Sequence, residues 1–73
     1  MSKLPQAKPK EVLRALQKAD FQIKKQSGSH IDLRHPDGRR TTVPMHNKPL
    51  GKGLLKAILS QTKLTVEQLK ELL

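Results

Sequence analysis

The sequence predicts an α+β domain: one helix, a three-stranded antiparallel sheet, a second helix and a short C-terminal helix. Three observations lead there. Apolar residues recur at helical spacing from Pro9 to Ala19 and again from Leu54 to Leu59. Between Phe21 and Val43 the apolar period drops to two. Two turn-forming clusters, Ser27-Gly28-Ser29 and Pro36-Asp37-Gly38-Arg39, cut that middle stretch into short strands. Consecutive strands joined by tight turns make a meander, and helices on either side of it in sequence cover one face and leave the other in water.

Each element has its own signal. Residues 1–8, rich in Pro, Lys and Gln, read as a flexible basic lead, and residues 9–73 as a single domain. Pro9 suits the first turn of a helix, and Glu11 suits its positive end. Val12, Leu13 and Leu16, with Ala15 or Ala19, form the apolar stripe of that helix, and Lys10, Arg14, Gln17 and Lys18 form its polar face. Alternation then predicts a first strand from Phe21 to Gln26 with Phe21 and Ile23 buried. A second strand opens at His30, with Ile31 and Leu33 inward and His30, Asp32 and Arg34 outward. The third, Arg40 to Val43, stops at Pro44 with Val43 inward and Arg40 and Thr42 outward. A polar loop from Met45 leads to the second helix, where Leu54, Leu55, Ile58 and Leu59 are the predicted buried stripe and Lys52 and Lys56 the wet side. Thr65 with Gln68 three residues on marks the start of the last helix, and Val66, Leu69, Leu72 and Leu73 supply its apolar contacts.

Size and charge narrow the function. A chain of 73 residues buries only about 60% of the surface that its unfolded form exposes, so a deep pocket is not expected. There is no Cys, which removes disulfides and zinc-thiolate sites. Apolar runs are too short to span a bilayer and the N-terminus lacks a signal-peptide core, so a cytoplasmic protein without membrane contact is expected. The formal net charge of +9 favours an anionic partner, RNA or DNA ahead of an acidic protein. Phe21 is the sole Phe, Trp or Tyr, which excludes the aromatic platforms of many single-strand binders.

The predicted open face carries Gln22, Lys24, Gln26, His30, Asp32, Arg34, Arg40 and Thr42, a polar, basic surface suited to a phosphodiester backbone. Arg39 beside Arg40 adds a candidate phosphate clamp. Gly51 and Gly53, with Lys48 and Lys52, resemble a phosphate-cradling helix start, but the P-loop spacing is absent and the plainer reading is a loop ending in a helix cap. Of the three histidines, His30 faces solvent beside a tight turn, and alternation turns His35 towards the helices as a structural residue. His46 follows the third strand. Their spacing repeats no metal-ligand pattern, and neither a metal nor another cofactor is expected.

The run Gly28-Ser29-His30, the basic hairpin His35 to Arg40, the strand exit Thr42-Val43-Pro44 with His46 after it, and the helix start Gly53-Leu54-Leu55-Lys56-Ala57-Ile58-Leu59 together resemble the HicA toxins, across roughly residues 9–64. The resemblance implies a double-stranded-RNA-binding-domain-like fold, the same order of elements as the periodicity predicts. It further implies a small ribonuclease that cleaves messenger RNA and is held in check by a HicB-type antitoxin. His30 would be the catalytic histidine and Gly28 and Ser29 its supporting turn. One departure is Leu54, which stands where members often carry a threonine. Asp32 also places a negative charge on the predicted His30 face.

Metal-free RNA cleavage needs a base for the 2′-hydroxyl, an acid for the leaving 5′-oxygen and positive charge at the transition state. Histidine suits either proton role. Lys24, Arg34 and Arg40 would supply the charge, and His46 is a candidate second proton-transfer group. The antitoxin would cover the His30 face. A non-catalytic RNA-binding module of the same fold and a basic protein-interaction domain are the competing readings.

Overall fold

A computed structural model describes residues 4–46 and 48–73. The elements are α1 (Pro9–Lys18), β1 (Gln22–Ser27), β2 (His30–Arg34), β3 (Arg40–Pro44), α2 (Lys52–Thr62) and α3 (Val66–Leu72). The sheet is antiparallel in the order β1-β2-β3, and the whole is the predicted α+β arrangement.

Pro9 occupies the first turn of α1, and the Lys8 amide donates to Glu11 Oε1 at 2.9 Å, satisfying a backbone group at the helix start. The helix ends in a Schellman motif. Asp20 takes φ +73°, its amide donates to the Gln17 carbonyl at 3.1 Å, and the Phe21 amide donates to the Leu16 carbonyl at 3.0 Å. Phe21 and Leu16, the pair that this motif brings together, are both buried. Phe21 is therefore buried as expected, but by the helix cap, and β1 begins one residue later.

β1 departs from simple alternation. Ile23 lies opposite Leu33, yet the next paired residue, Lys25, lies opposite Asp32, so Lys24 is the extra residue of a β-bulge. α1 and α2 both pack against β3, at the far side of the sheet, and β1 projects beyond the helices with every residue exposed. Ile23 is 44% exposed for that reason, against the expectation that it is buried. The bulge and the two lysines also blunt a free edge that would otherwise invite pairing with another strand.

The two turns differ. Gly28 has φ +59° and Ser29 has no positive φ, the pattern of a type II′ hairpin whose flanking pair is Ser27 and His30. The Ser29 carbonyl accepts from the Met45 amide, which ties this turn to the exit of β3. In the second hairpin the His35 amide donates to the Arg39 carbonyl at 2.8 Å and the Gly38 amide to the His35 carbonyl at 2.9 Å, with Gly38 at φ +100°.

The core lies between the sheet and the helices. Val12, Ala15 and Leu16 of α1, Leu55, Ile58 and Leu59 of α2, Leu69 of α3, and Ile31, Leu33 and Val43 of the sheet are all buried. Leu54, expected in the α2 stripe, is instead 38% exposed and lines a surface cleft. Of the N-terminal lead, residues 1–3 lie outside the described residues. Leu4 and Pro5 are half-buried, and Ala7 is buried with its carbonyl accepting from the Leu50 amide at 2.9 Å.

The last helix is capped as predicted: Thr65 Oγ1 accepts from the Gln68 amide at 3.1 Å, and the Thr65 amide donates to Gln68 Oε1 at 2.9 Å. α3 packs on α1, where Lys18 Nζ donates to the Leu72 carbonyl at 3.1 Å. Replacing such a cap by alanine costs about 1 kcal/mol, so Thr65→Ala should lower the melting temperature by roughly 4–8 °C in a thermal denaturation measurement.

Candidate active site

The open face of the sheet meets α2 in a cleft of about 850 Å³, and the two walls differ in chemistry. The sheet contributes Lys25, Ser27, His30, Asp32, Arg40 and Thr42, and the helix contributes Leu54, Ala57, Ile58 and Gln61, with Pro44 at the end of β3. Strand pairing explains the first wall. His30 is opposite Ser27 on one side and Pro44 on the other, Asp32 is opposite Lys25 and Thr42, and Arg34 is opposite Arg40. Side chains of directly opposed residues point the same way, so all of these share one face.

His30 is exposed and, among the described residues, its side chain makes no hydrogen bond, ion pair or ring contact. Its imidazole is thus open to an incoming group. Asp32, two residues along the same strand, is half-buried and is held by Arg34, whose Nη2 donates to Asp32 Oδ2 at 3.4 Å. Arg34 and Arg40 face each other as like charges across a strand pair, an arrangement that is unfavourable alone and becomes favourable once an anion lies between them.

The other sequence-predicted residues do not all come to this cleft. Because of the bulge, Lys25 rather than Lys24 shares the face of Asp32 and lines the cleft, which corrects the expected alternation. Nothing in the residue types marks that bulge, since both neighbours are lysines. Arg39 is turned inward: its Nε donates to Asp37 Oδ2 at 2.8 Å, its Nη1 donates to the Thr62 carbonyl, and its guanidinium lies 5.3 Å from the Phe21 ring centroid. It is a structural clamp on the C-terminal end of α2 rather than part of the open face. His35 belongs to the same cluster, edge-on to Phe21 at 5.1 Å, with its Nδ1 accepting from the Asp37 amide at 3.1 Å. The Arg39 amide, donating to Asp37 Oδ1, is the main reason that the Asp37 carboxyl is held below its ordinary range, and the Arg39 guanidinium and His35 add to it.

His46 lines a separate depression with Lys8, Pro9, Lys10 and Met45, and its Nδ1 lies 3.1 Å from the Lys48 carbonyl. The structure does not bring it to the His30 cleft. Lys48 is exposed on the same loop, and Lys52 is exposed at the first position of α2, outside the cleft. Gly28 and Ser29 form the hairpin turn that leads into His30. The helix wall went unread in the sequence, where Leu54 has the spacing of a core residue and Gln61 has no signal at all. No group of three or more His, Cys, Asp or Glu side chains suited to a metal occurs among the described residues, and no helix there is long and apolar enough to cross a membrane.

The family model for the HicA toxin of bacterial toxin–antitoxin systems matches residues 9–64, which takes in the cleft and both of its walls. No curated protein matches the chain. The chain, a small basic α+β domain with a solvent-facing histidine on the open side of its sheet, belongs to the HicA toxin family and is the toxin component of a toxin–antitoxin pair.

Proposed function

We propose that this toxin is a metal-independent endoribonuclease acting on messenger RNA, with His30 as its general acid or base. The observation that carries the reading is an exposed imidazole, without a side-chain partner among the described residues, on a cationic sheet face within a cleft. A phosphodiester lying along that face meets Lys25 and Arg40, which offset the charge that builds on the phosphoryl oxygens, while His30 Nδ1 or Nε2 exchanges a proton with the 2′-hydroxyl or the leaving 5′-oxygen. His46 lies in the other depression, so the second proton-transfer role falls to a group in the cleft, with Asp32 nearest along the strand, or to water. The antitoxin covers the same basic face, excluding RNA and His30 together.

Attack by the 2′-hydroxyl leaves a 2′,3′-cyclic phosphate and a 5′-hydroxyl. Digestion of RNA by the purified toxin in excess chelator is expected to yield those ends, read by end-labelling or mass spectrometry. Products carrying only 3′-hydroxyl and 5′-phosphate ends would rule out this chemistry.

A further inference from the structure

We infer that the α2 wall of the cleft is a nucleobase subsite, with Leu54 and Ala57 packing against the base and Gln61 donating a hydrogen bond to its edge. The inference rests on the reading of the cleft as an RNA site and adds to it a part that the backbone-binding sheet does not supply.

Leu54 is the starting point. A leucine at helical spacing with buried neighbours belongs in the core, but this one is 38% exposed and lines the cleft, as does Ala57 one turn further along the helix. Pro44, directly opposite His30 in the strand pairing, continues the apolar surface to the catalytic end. Gln61 follows Ala57 by one further turn. Thr41 Oγ1, on a buried residue, donates to Gln61 Oε1 at 2.7 Å, so in this arrangement the amide oxygen faces the protein. The two N–H donors of Gln61 are left for a ligand in the cleft.

The two walls therefore match the two halves of a nucleotide. One is cationic and carries the proton-transfer group; the other is aliphatic and ends in an oriented amide donor. With the sole Phe, Trp or Tyr, Phe21, buried in the core and the His30 ring assigned to proton transfer, the aliphatic shelf is the apolar surface left for a base face. Charge favours RNA over a protein segment as the occupant, because the apolar shelf is faced across the cleft by Lys25, Arg40 and His30. An amide donor selects bases that present a carbonyl or ring-nitrogen acceptor, so the subsite confers preference at one position beside the scissile phosphate. Covering about 25 Å² of apolar wall and making one amide hydrogen bond contribute about threefold each and together amount to roughly tenfold in affinity.

The test uses the His30→Ala protein as a binding reagent, with short single-stranded RNA in which one abasic nucleotide is moved along the strand. At one position the intact RNA should bind about tenfold tighter than the abasic form. Adding Leu54→Ala, or Gln61→Glu, which keeps the acceptor for Thr41 and removes the donors, should bring that ratio below about threefold. Lys56→Gln, outside the cleft on α2, should leave the ratio in place. The subsite is overturned if no position discriminates, or if discrimination survives both cleft variants. It is equally overturned if Leu54→Ala weakens only the antitoxin complex. Base discrimination by the His30→Ala protein without any cleavage by the wild type would sink the catalytic reading alone; absence of RNA binding would sink both.

Discussion

Expression of the His30→Ala variant in a bacterial host is expected to leave growth and bulk messenger RNA untouched, and expression of the wild type is expected to arrest growth with loss of RNA. In a purified assay the variant's cleavage rate should fall by roughly 10²- to 10⁴-fold, the range that general acid–base catalysis contributes. The fold should not change. His30 is exposed and its side chain makes no hydrogen bond, ion pair or ring contact among the described residues, so its truncation breaks no specific interaction and its stability effect should stay within about 0.5 kcal/mol. That separation of activity from stability is what makes the variant informative, because loss of activity cannot then be blamed on unfolding. Retained toxicity and cleavage in a folded His30→Ala protein would defeat the catalytic assignment and leave a binding module. His30→Gln, which keeps a hydrogen-bonding group but cannot carry the proton, should be as inactive as the alanine variant.

Arg39→Ala should behave in the opposite way, losing stability before it loses anything specific to RNA. Its guanidinium joins three elements at once: the Asp37 carboxylate in the β2–β3 turn, the Thr62 carbonyl at the end of α2, and the face of Phe21 next to α1. A charge-assisted bond to a partly buried carbonyl contributes about 1.5–3 kcal/mol, and the cation–π contact roughly 0.5–1 kcal/mol more. The exposed Asp37 pair adds little. A total near 2–4 kcal/mol corresponds to a drop of roughly 10–25 °C in the melting temperature of a domain this small. Arg39→Lys should rescue little of it, since an ammonium cannot serve the two hydrogen bonds and the ring face together. The part owed to Asp37 is sensitive to acid. A carboxyl titrating below its unfolded value stabilises the fold above about pH 4 and loses that effect as the pH falls through the folded value. Arg40→Ala, one residue away on the open face, should leave the melting temperature nearly unchanged and weaken RNA binding. Equal thermal effects of the two substitutions would contradict the distinction between clamp and binding face.

The pair Arg39 and Arg40 shows why sequence reading stops where it does. Both are arginines in a hairpin of a basic protein, and residue type and spacing assign them alike. Their roles diverge because one side chain points along the sheet end towards Thr62 and Phe21, which lie 23 and 18 positions away in the chain. Lys24 and Lys25 differ for another reason. Period-two alternation is a local rule, and a single extra residue in the edge strand reverses it for the rest of that strand. Leu54 differs because helical periodicity identifies an apolar side of α2 but not where the covering strand ends.

What the sequence determined by itself is the set of properties carried by local patterns. These are the α+β order, the two hairpins, the Thr65 cap, the outward position of His30 and Arg40 on their strands, the basic charge, and the motif run that resembles the HicA toxins. Each depends on residues within a few positions of one another, through turn geometry, side-chain alternation or helix capping. The tertiary structure alone decided that α2 stands beside the open face to form a cleft, that Lys25 and Gln61 belong to it, and that Arg39 and His46 do not. Those outcomes depend on how far each helix overlaps the sheet and on contacts between residues distant in the chain, where packing and not local propensity sets the geometry.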